Sequence, residues 1–430
     1  MKKKLLFGFI ILAMLLVTIL SACQPTTTTP PTNGEQPVTT LPERDSIVMG
    51  YACSLSGPLA QIHESAGGPI QAGWTKWIND VQGGIYVEEY GKKLPVEWII
   101  YDDKSDVGTM TRLIEKLIVE DKVDFIVGPT GTAPLFAAAP ICNKHQKILT
   151  SLEGGASSMI PVMDALPYIF VNLSFSNWYQ IPVLADIFKD HGVKSVYIIY
   201  IADLFGVEYN SESQLYFDQA GIEIKASKSV PPDIKDMSAI LKDAQASGAD
   251  ALCVWGYPDQ NILAVAQSIE LGYNPKAVVT GPAANFGFWL DIFGPAAEGV
   301  SFFTMANTKT SPAMKEMFDF LYEGMPRAVN DWWGHPCYWA GMQALQNAIE
   351  KAGTLDNDVI RDVLANSTVE TVYGPTTYTN NMLDYKVHTG EIGQWHSEFP
   401  DTVGPKDLTN YPNMVVTGDW VYPKPAWPKP

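Results

Sequence analysis

Five cysteines in 430 residues are too few for a disulfide scaffold, and none has the paired CxxC spacing of a structural zinc module. Positive charge is also scarce: 29 Lys and Arg face 47 Asp and Glu, a formal net charge of -18. So acidic a surface repels phosphate backbones and anionic headgroups, which argues against a nucleic-acid partner and against a protein held on lipid by basic patches. Catalytic signatures are missing too. The six histidines (63, 145, 191, 335, 388 and 396) form no HExxH and no i, i+4 pair. There is no GxSxG elbow, no GxxxxGK[ST] loop and no GxGxxG heading the first βαβ unit. The sequence therefore offers no catalytic, cofactor or metal signature, and no enzymatic activity is expected.

What is present is core material. Apolar residues make up 46% of the chain and charged ones 18%, enough for about two or three domains at roughly 150 residues each. The first residues give an address. Lys2, Lys3 and Lys4 precede an apolar run from Leu5 to Leu20, too short for a membrane span but the right size for a signal-peptide core. The run ends in Leu20-Ser21-Ala22-Cys23, which resembles a bacterial lipoprotein signal: residues 1–22 are cleaved and lipid is added to Cys23. An uncleaved anchor helix is the alternative. Residues 23–45 are dominated by Thr and Pro, a composition that favours extended conformers and suits a tether. No other stretch approaches 18 consecutive apolar residues. Four cysteines lie beyond the tether, Cys53, Cys142, Cys253 and Cys337; their pairing is open, with buried free thiols the simpler reading for Cys142 and Cys253.

From Ser46 strand and helix patterns alternate. Strands are expected at 46–52, 94–101, 124–127 and 148–150, with helical spacing at 70–81, around 113–118 and at 134–145. The alternation restarts with a helix at 181–190, then strands at 195–201, 222–226, 251–255 and 277–280 separated by helices. Continuous β-branched runs between such helices predict α/β architecture with two doubly wound parallel sheets. Polar or glycine-containing turns follow the strands: Ser54–Gly57, Gly128–Thr132, Ser151–Gly155, Ala202–Gly206, Gly256–Asp259 and Gly281–Asn285. Ligands bind outside the carboxyl ends of such strands, where helix N-termini offer free N–H groups. Two sheets let these turns face one cleft.

The stretch IVMGYACSLSGPLA from Ile47, the helix ending NDVQGGI, and Tyr101-Asp102-Asp103 resemble the extracytoplasmic solute-binding proteins of the branched-chain amino acid family, the receptors of ABC importers. DFIVGPTGT at 124–132, KILTS at 147–151, Asp203–Gly206, Gly256-Tyr257, Leu271–Tyr273, Thr280–Pro282 and Thr371–Pro375 follow in the family's order. The resemblance implies a clamshell of two lobes with the hinge crossed three times. Lobe one takes 46–171 and 306–367; lobe two takes 172–305 and 368–430. It also implies a small-molecule ligand, an ABC transporter permease as partner, a monomer, and a location outside the cell membrane, held by lipid on Cys23. A tethered ligand sensor feeding a signalling receptor uses the same clamshell and is the alternative role; a hydrolase is a weaker one.

Carried onto this chain, the family's carboxylate anchor falls on Thr130, Gly131 and Thr132, where Thr132 also suits a helix start. Ile62 or His63 takes the neighbouring contact, and Ser151, Glu153 and Gly155 a second strip. Asp203, Phe205 and Tyr257 form the wall of lobe two, with Trp178 either facing the cleft or packing at the hinge. Trp332, Trp333 and Trp395 are read as core or lobe-edge packing. Two positions depart from the amino-acid binders: Ala283 replaces a glutamate that holds the α-ammonium, and Glu153 is acidic where they tend to have a small neutral residue. Either the ammonium partner has moved to Glu153, Asp203 or Asp259, or the ligand is an aromatic acid, amide or urea-like solute. A chain truncated at Glu43 is expected to keep its fold and ligand affinity, checked by circular dichroism and titration; loss of fold would put the Thr/Pro segment in the core.

Overall fold

Residues 43–155, 157–173, 176–383 and 392–428 are described in the computed structural model. The expected signal peptide, Cys23, most of the tether and the Trp178 side chain lie outside the described residues. The first strand, β1 (Ile47–Cys53), is apolar on both faces because it runs through the middle of a covered sheet. Two helices follow, α1 (Ala60–Ser65) and α2 (Gly67–Lys76), the second running on into a π-type turn at Trp77–Gln82. The helix expected over 70–81 is present as α2 with its π-type turn, and Gly67-Gly68 lets it start tight against the buried Glu153. A hairpin of β2 (Ile85–Val87) and β3 (Lys92–Leu94) leads to β4 (Val96–Asp102). Then come α3 (Val107–Val119), capped by Asp106, β5 (Phe125–Val127), α4 (Thr132–Lys144), β6 (Leu149–Thr150) and β7 (Ile169–Phe170). The sheet is parallel, in the order β4-β1-β5-β6-β7.

The second sheet repeats the plan. After α5 (Ser176–Asp190) come β8 (Ser195–Ile201), α6 (Leu204–Gln219), β9 (Glu223–Val230), α7 (Ser238–Ser247), β10 (Ala251–Trp255) and α8 (Pro258–Glu270). They are followed by β11 (Ala277–Thr280), the short α9 (Phe288–Phe293) and β12 (Ser301–Phe303). The chain then returns through α10 (Pro312–Tyr322), α11 (Gly334–Ala352) and α12 (Asn357–Asn366), with α10 and α11 packed against α2. Two small hairpins, β13 (Val369–Thr371) with β14 (Gly374–Thr376) and β15 (Tyr378–Thr379) with β16 (Met382–Leu383), precede β17 (Ile392–His396) and β18 (Phe399–Val403). The last two add antiparallel strands, giving the order β18-β17-β12-β11-β10-β8-β9.

The expected α/β fold with two doubly wound sheets is present. The hairpins at 369–383, which the sequence reading assigned to the second lobe, stay with the first sheet. Met382 bridges to Val171, and the Tyr378 hydroxyl donates to Asn172 Oδ1 at 2.6 Å. Asn172, fully buried where the chain leaves the first sheet, also donates to Thr150 Oγ1 and the Ser151 carbonyl, both at 2.7 Å. All four described cysteines are buried, and none is joined in a disulfide.

Helix α6 lies so close to β8 that a Cβ on Gly206 would stand 2.1 Å from the Ile201 carbonyl oxygen. Gly206→Ala is therefore expected to destabilise the protein by about 1–3 kcal/mol, the usual cost of overpacking. The check is the urea midpoint at unchanged m-value; an unmoved midpoint would show that the helix can slide freely.

Candidate functional site

Each sheet has the strand order 2-1-3-4-5 among its parallel strands, so each has one point where neighbouring strands send their connections to opposite faces. In the first sheet this lies between β1 and β5, in the second between β8 and β10. The loops leaving those four strands meet at one partly open cavity. Ile62 and Ala66 follow β1, Gly131 and Thr132 follow β5, Phe205 follows β8 and Tyr257 follows β10. The cavity is small, about 40 Å³, where a single water needs about 10–15 Å³ on the same measure.

Beneath it sits a buried ion pair. Glu153 Oε1 accepts from the Gly67 N–H at 2.8 Å, and Oε2 accepts from Tyr51 at 2.9 Å and from Thr130, with His63 Nδ1 at 3.2 Å. Burial pushes the Glu153 carboxyl up, but the His63 charge and these hydrogen bonds outweigh it and hold it below its ordinary value. Burial pulls His63 down, and the same partner leaves it raised. The directions agree on an ionised pair. Three of these donors converge on Oε2 and one on Oε1. Glu153 is thus a strut joining β1, α1, α2 and the loops after β5 and β6, with its charge already matched by His63.

At the anchor Gly131 has φ 96°, a conformation open to glycine, and turns the chain into α4. The first-turn N–H groups of Thr132 and Ala133 have no carbonyl one turn earlier to bond, so they supply an anion site at a positive helix end. The Thr132 hydroxyl donates to the Gly155 carbonyl at 2.8 Å. This ties the helix start to the second strip, so the expected carboxylate contact rests on backbone. Opposite lies an aromatic wall, Phe205 stacked on Tyr257 with centroids 5.2 Å apart and planes at 20°. At the rim the Ser158 N–H donates to Glu208 Oε1 of α6 at 2.9 Å, linking the two sheet units directly.

Of the residues expected at the site, Ile62, Gly131, Thr132, Glu153, Gly155, Phe205 and Tyr257 line the cavity. His63 and Thr130 stand behind it, holding Glu153. Ser151 is buried, accepting from the Asn172 N–H at 3.0 Å, and so belongs to the hinge. Asp203 is spent on capping α6, its Oδ1 accepting from the Gly206 N–H at 2.9 Å. Ala283 is buried beside the wall, donating its N–H to Asn285, and Asp259 is exposed on α8.

Several lining residues were not singled out: Ala66, Gly154, Leu173, Pro282, Asn285 and Phe286, and three from the crossing segment, Asp331, Trp333 and Tyr338. Trp332 and Trp395 pack edge to face, centroids 5.3 Å apart, as core residues, whereas Trp333 faces the cavity. Among the described residues no group of three or more His, Cys, Asp or Glu side chains is placed to hold a metal ion, and no helix is long and apolar enough to cross a membrane.

Loops from the facing switch points of two doubly wound sheets, closed over one small polar-ended cavity, define a two-lobed α/β binding protein. The chain belongs to the periplasmic binding protein family, whose sequence pattern matches residues 46–395. It is 24% identical over 349 residues to the Leu/Ile/Val-binding protein homolog 7 of Brucella suis biovar 1 (strain 1330), covering 76% of this chain and 83% of the other. It is 23% identical over 362 residues to the leucine-, isoleucine-, valine-, threonine-, and alanine-binding protein of Pseudomonas aeruginosa PAO1, covering 82% and 91%. Among solved structures, the fold superposes on an ABC transporter solute-binding protein of Rhodopseudomonas palustris BisB5 in complex with 3,4-dihydroxybenzoic acid. The TM-score is 0.69 at 21% identity, covering 82% of this chain and 93% of the other.

Glu153→Ala removes the acceptor of four buried donors at once. We expect a loss of about 3–5 kcal/mol, as for breaking one side of a buried ion pair, read from denaturant unfolding. A loss below about 1 kcal/mol, the range of an exposed pair, would show that the network carries no structural load.

Proposed function

We propose that the chain is a lipid-anchored solute-binding protein that captures a small polar solute, an amino acid or a related carboxylate or amide, between its lobes and hands it to an ABC importer. One observation carries the reading: the start of α4, with its unpaired N–H groups, opens into a cavity whose other wall, Phe205 and Tyr257, comes from the second sheet. A ligand in contact with both walls binds only when they are together, so it shifts the open–closed balance by its differential affinity. A permease that recognises the closed form then receives only loaded protein.

The names of the relatives support both ligand classes, branched-chain and small amino acids in one and an aromatic acid in the other. The cavity's size favours small members of either. Lobe one takes residues 46–171 together with the return through α10, α11 and α12. The lipid anchor rests on the Leu20–Cys23 pattern, and with it the placement outside the cell membrane.

The test is a thermal-shift screen on protein stripped of ligand by partial unfolding and refolding. The panel holds aliphatic amino acids, aromatic carboxylates, amides, urea and polyamines. A true ligand at a hundredfold above its Kd adds about 2.7 kcal/mol of stability. The absence of any shift across the panel would sink this reading.

A further inference from the structure

The charge balance of the cavity is uneven. Glu153 and His63 neutralise each other, and no Lys or Arg lines the space. One acid is left over. Asp331, 1% exposed, lies on the segment entering α11 and lines the cavity without an ion-pair partner among the described residues. Its Oδ1 accepts from Asn285 Nδ2 at 2.7 Å and from the Trp333 N–H at 2.9 Å, and the Gly334 N–H is a third donor to the carboxylate. Three donors leave one of its four acceptor positions open. The groups around it offer no neutralising charge: burial keeps His335 neutral by pulling it down to about 3, and keeps the Tyr322 and Tyr338 hydroxyls protonated. Burial likewise pushes the Asp331 carboxyl up to about 7, against those three hydrogen bonds, as expected for an acid that lacks a cation.

Two further side chains share the lining. The Trp333 indole N–H is buried with no hydrogen-bond partner among the described residues, a donor suited to a ligand's carboxylate and not to its ammonium, and Tyr338 also lines the cavity. The cavity thus has an acidic end at Asp331 and a positive end at the first turn of α4.

Resting on the solute-binding reading above, we infer that Asp331 holds the ammonium of a zwitterionic ligand whose carboxylate sits at the start of α4. The solute is then an α-amino acid, the most compact molecule carrying both charges, and not a plain carboxylate. A benzoate-like acid would leave Asp331 facing an apolar or anionic group. Asp331 thereby supplies what the missing lobe-two glutamate at position 283 does not, and it does so from a different element.

The test uses the full chain and matched probes by isothermal titration: glycine with acetate, L-alanine with propanoate, L-leucine with 4-methylpentanoate, and 4-hydroxybenzoate alone. At least one amino acid is expected to bind about 100-fold or more tightly than its deaminated partner, the order of loss when a buried charge pair is broken. Equal affinity within a pair, or binding of 4-hydroxybenzoate alone, overturns the inference while leaving the solute-binding reading intact. Binding of no probe overturns both. Asp331→Asn is expected to weaken the amino acid about 100-fold and leave the deaminated acid unchanged or tighter. Equal weakening of both would show that Asp331 only positions α11. Should that variant fail to fold, the wild-type probe pairs decide alone.

Discussion

The carboxylate of Glu153 organises the first half of the molecule. It comes from the loop after β6, yet its four donors come from β1, α1, the start of α2 and the loop after β5. A charge in so dry a place is tolerable only if it is hydrogen-bonded on both oxygens and a counter-ion lies within reach. His63 and the three neutral donors meet both conditions. Once they do, the loops cannot move separately: Gly131 and Thr132 are held at the angle that opens the α4 start, and Ile62 and Ala66 are held beside it. The ligand cavity is largely a by-product of solving the electrostatics of one buried acid.

The second half contributes differently. Its two switch-point loops present apolar rings, Phe205 on Tyr257, with Asp203 occupied in capping the helix behind them. Charge and free backbone donors therefore sit on one side of the cavity and on the crossing segment, while bulk and shape sit on the other. Such a division suits a binding protein: the polar end orients a solute and the aromatic wall completes the enclosure only as the halves approach.

Much of this was legible before any coordinates. Apolar runs such as SVYIIYI at 195–201 and ALCVW at 251–255 identify covered parallel strands because both faces of such a strand need apolar side chains. The turns after them were legible for the complementary reason, since strand ends next to helix starts need small or polar residues. Seven of the thirteen expected ligand-site residues line the cavity. What the sequence hid were contacts between distant segments. Glu153 reads as a loop acid until Tyr51 and His63 are brought to it, and nothing local marks it as the centre of a buried network. Asp331 lies between two aromatic-rich stretches with no strand or helix period, and only the pairing of Phe286 with Asp331 brings it to the cavity. The 369–383 hairpins were not legible as such because their two- and three-residue strands carry too little pattern to say which sheet they serve.

The repeated strand order has a consequence for how such a protein changes over time. Because the two sheets deliver their loops to the cavity independently, a substitution at Phe205 or Tyr257 alters the shape of the wall without touching the Glu153 network that keeps the opposite half folded. The anchor is costly to alter, since four partners must change with it; the wall answers to partners in its own half, Phe205 to Tyr209 and Tyr257 to Asp203. Inheritance of the first half together with drift in the second would yield descendants that grip a solute by the same end while sorting it by a different profile.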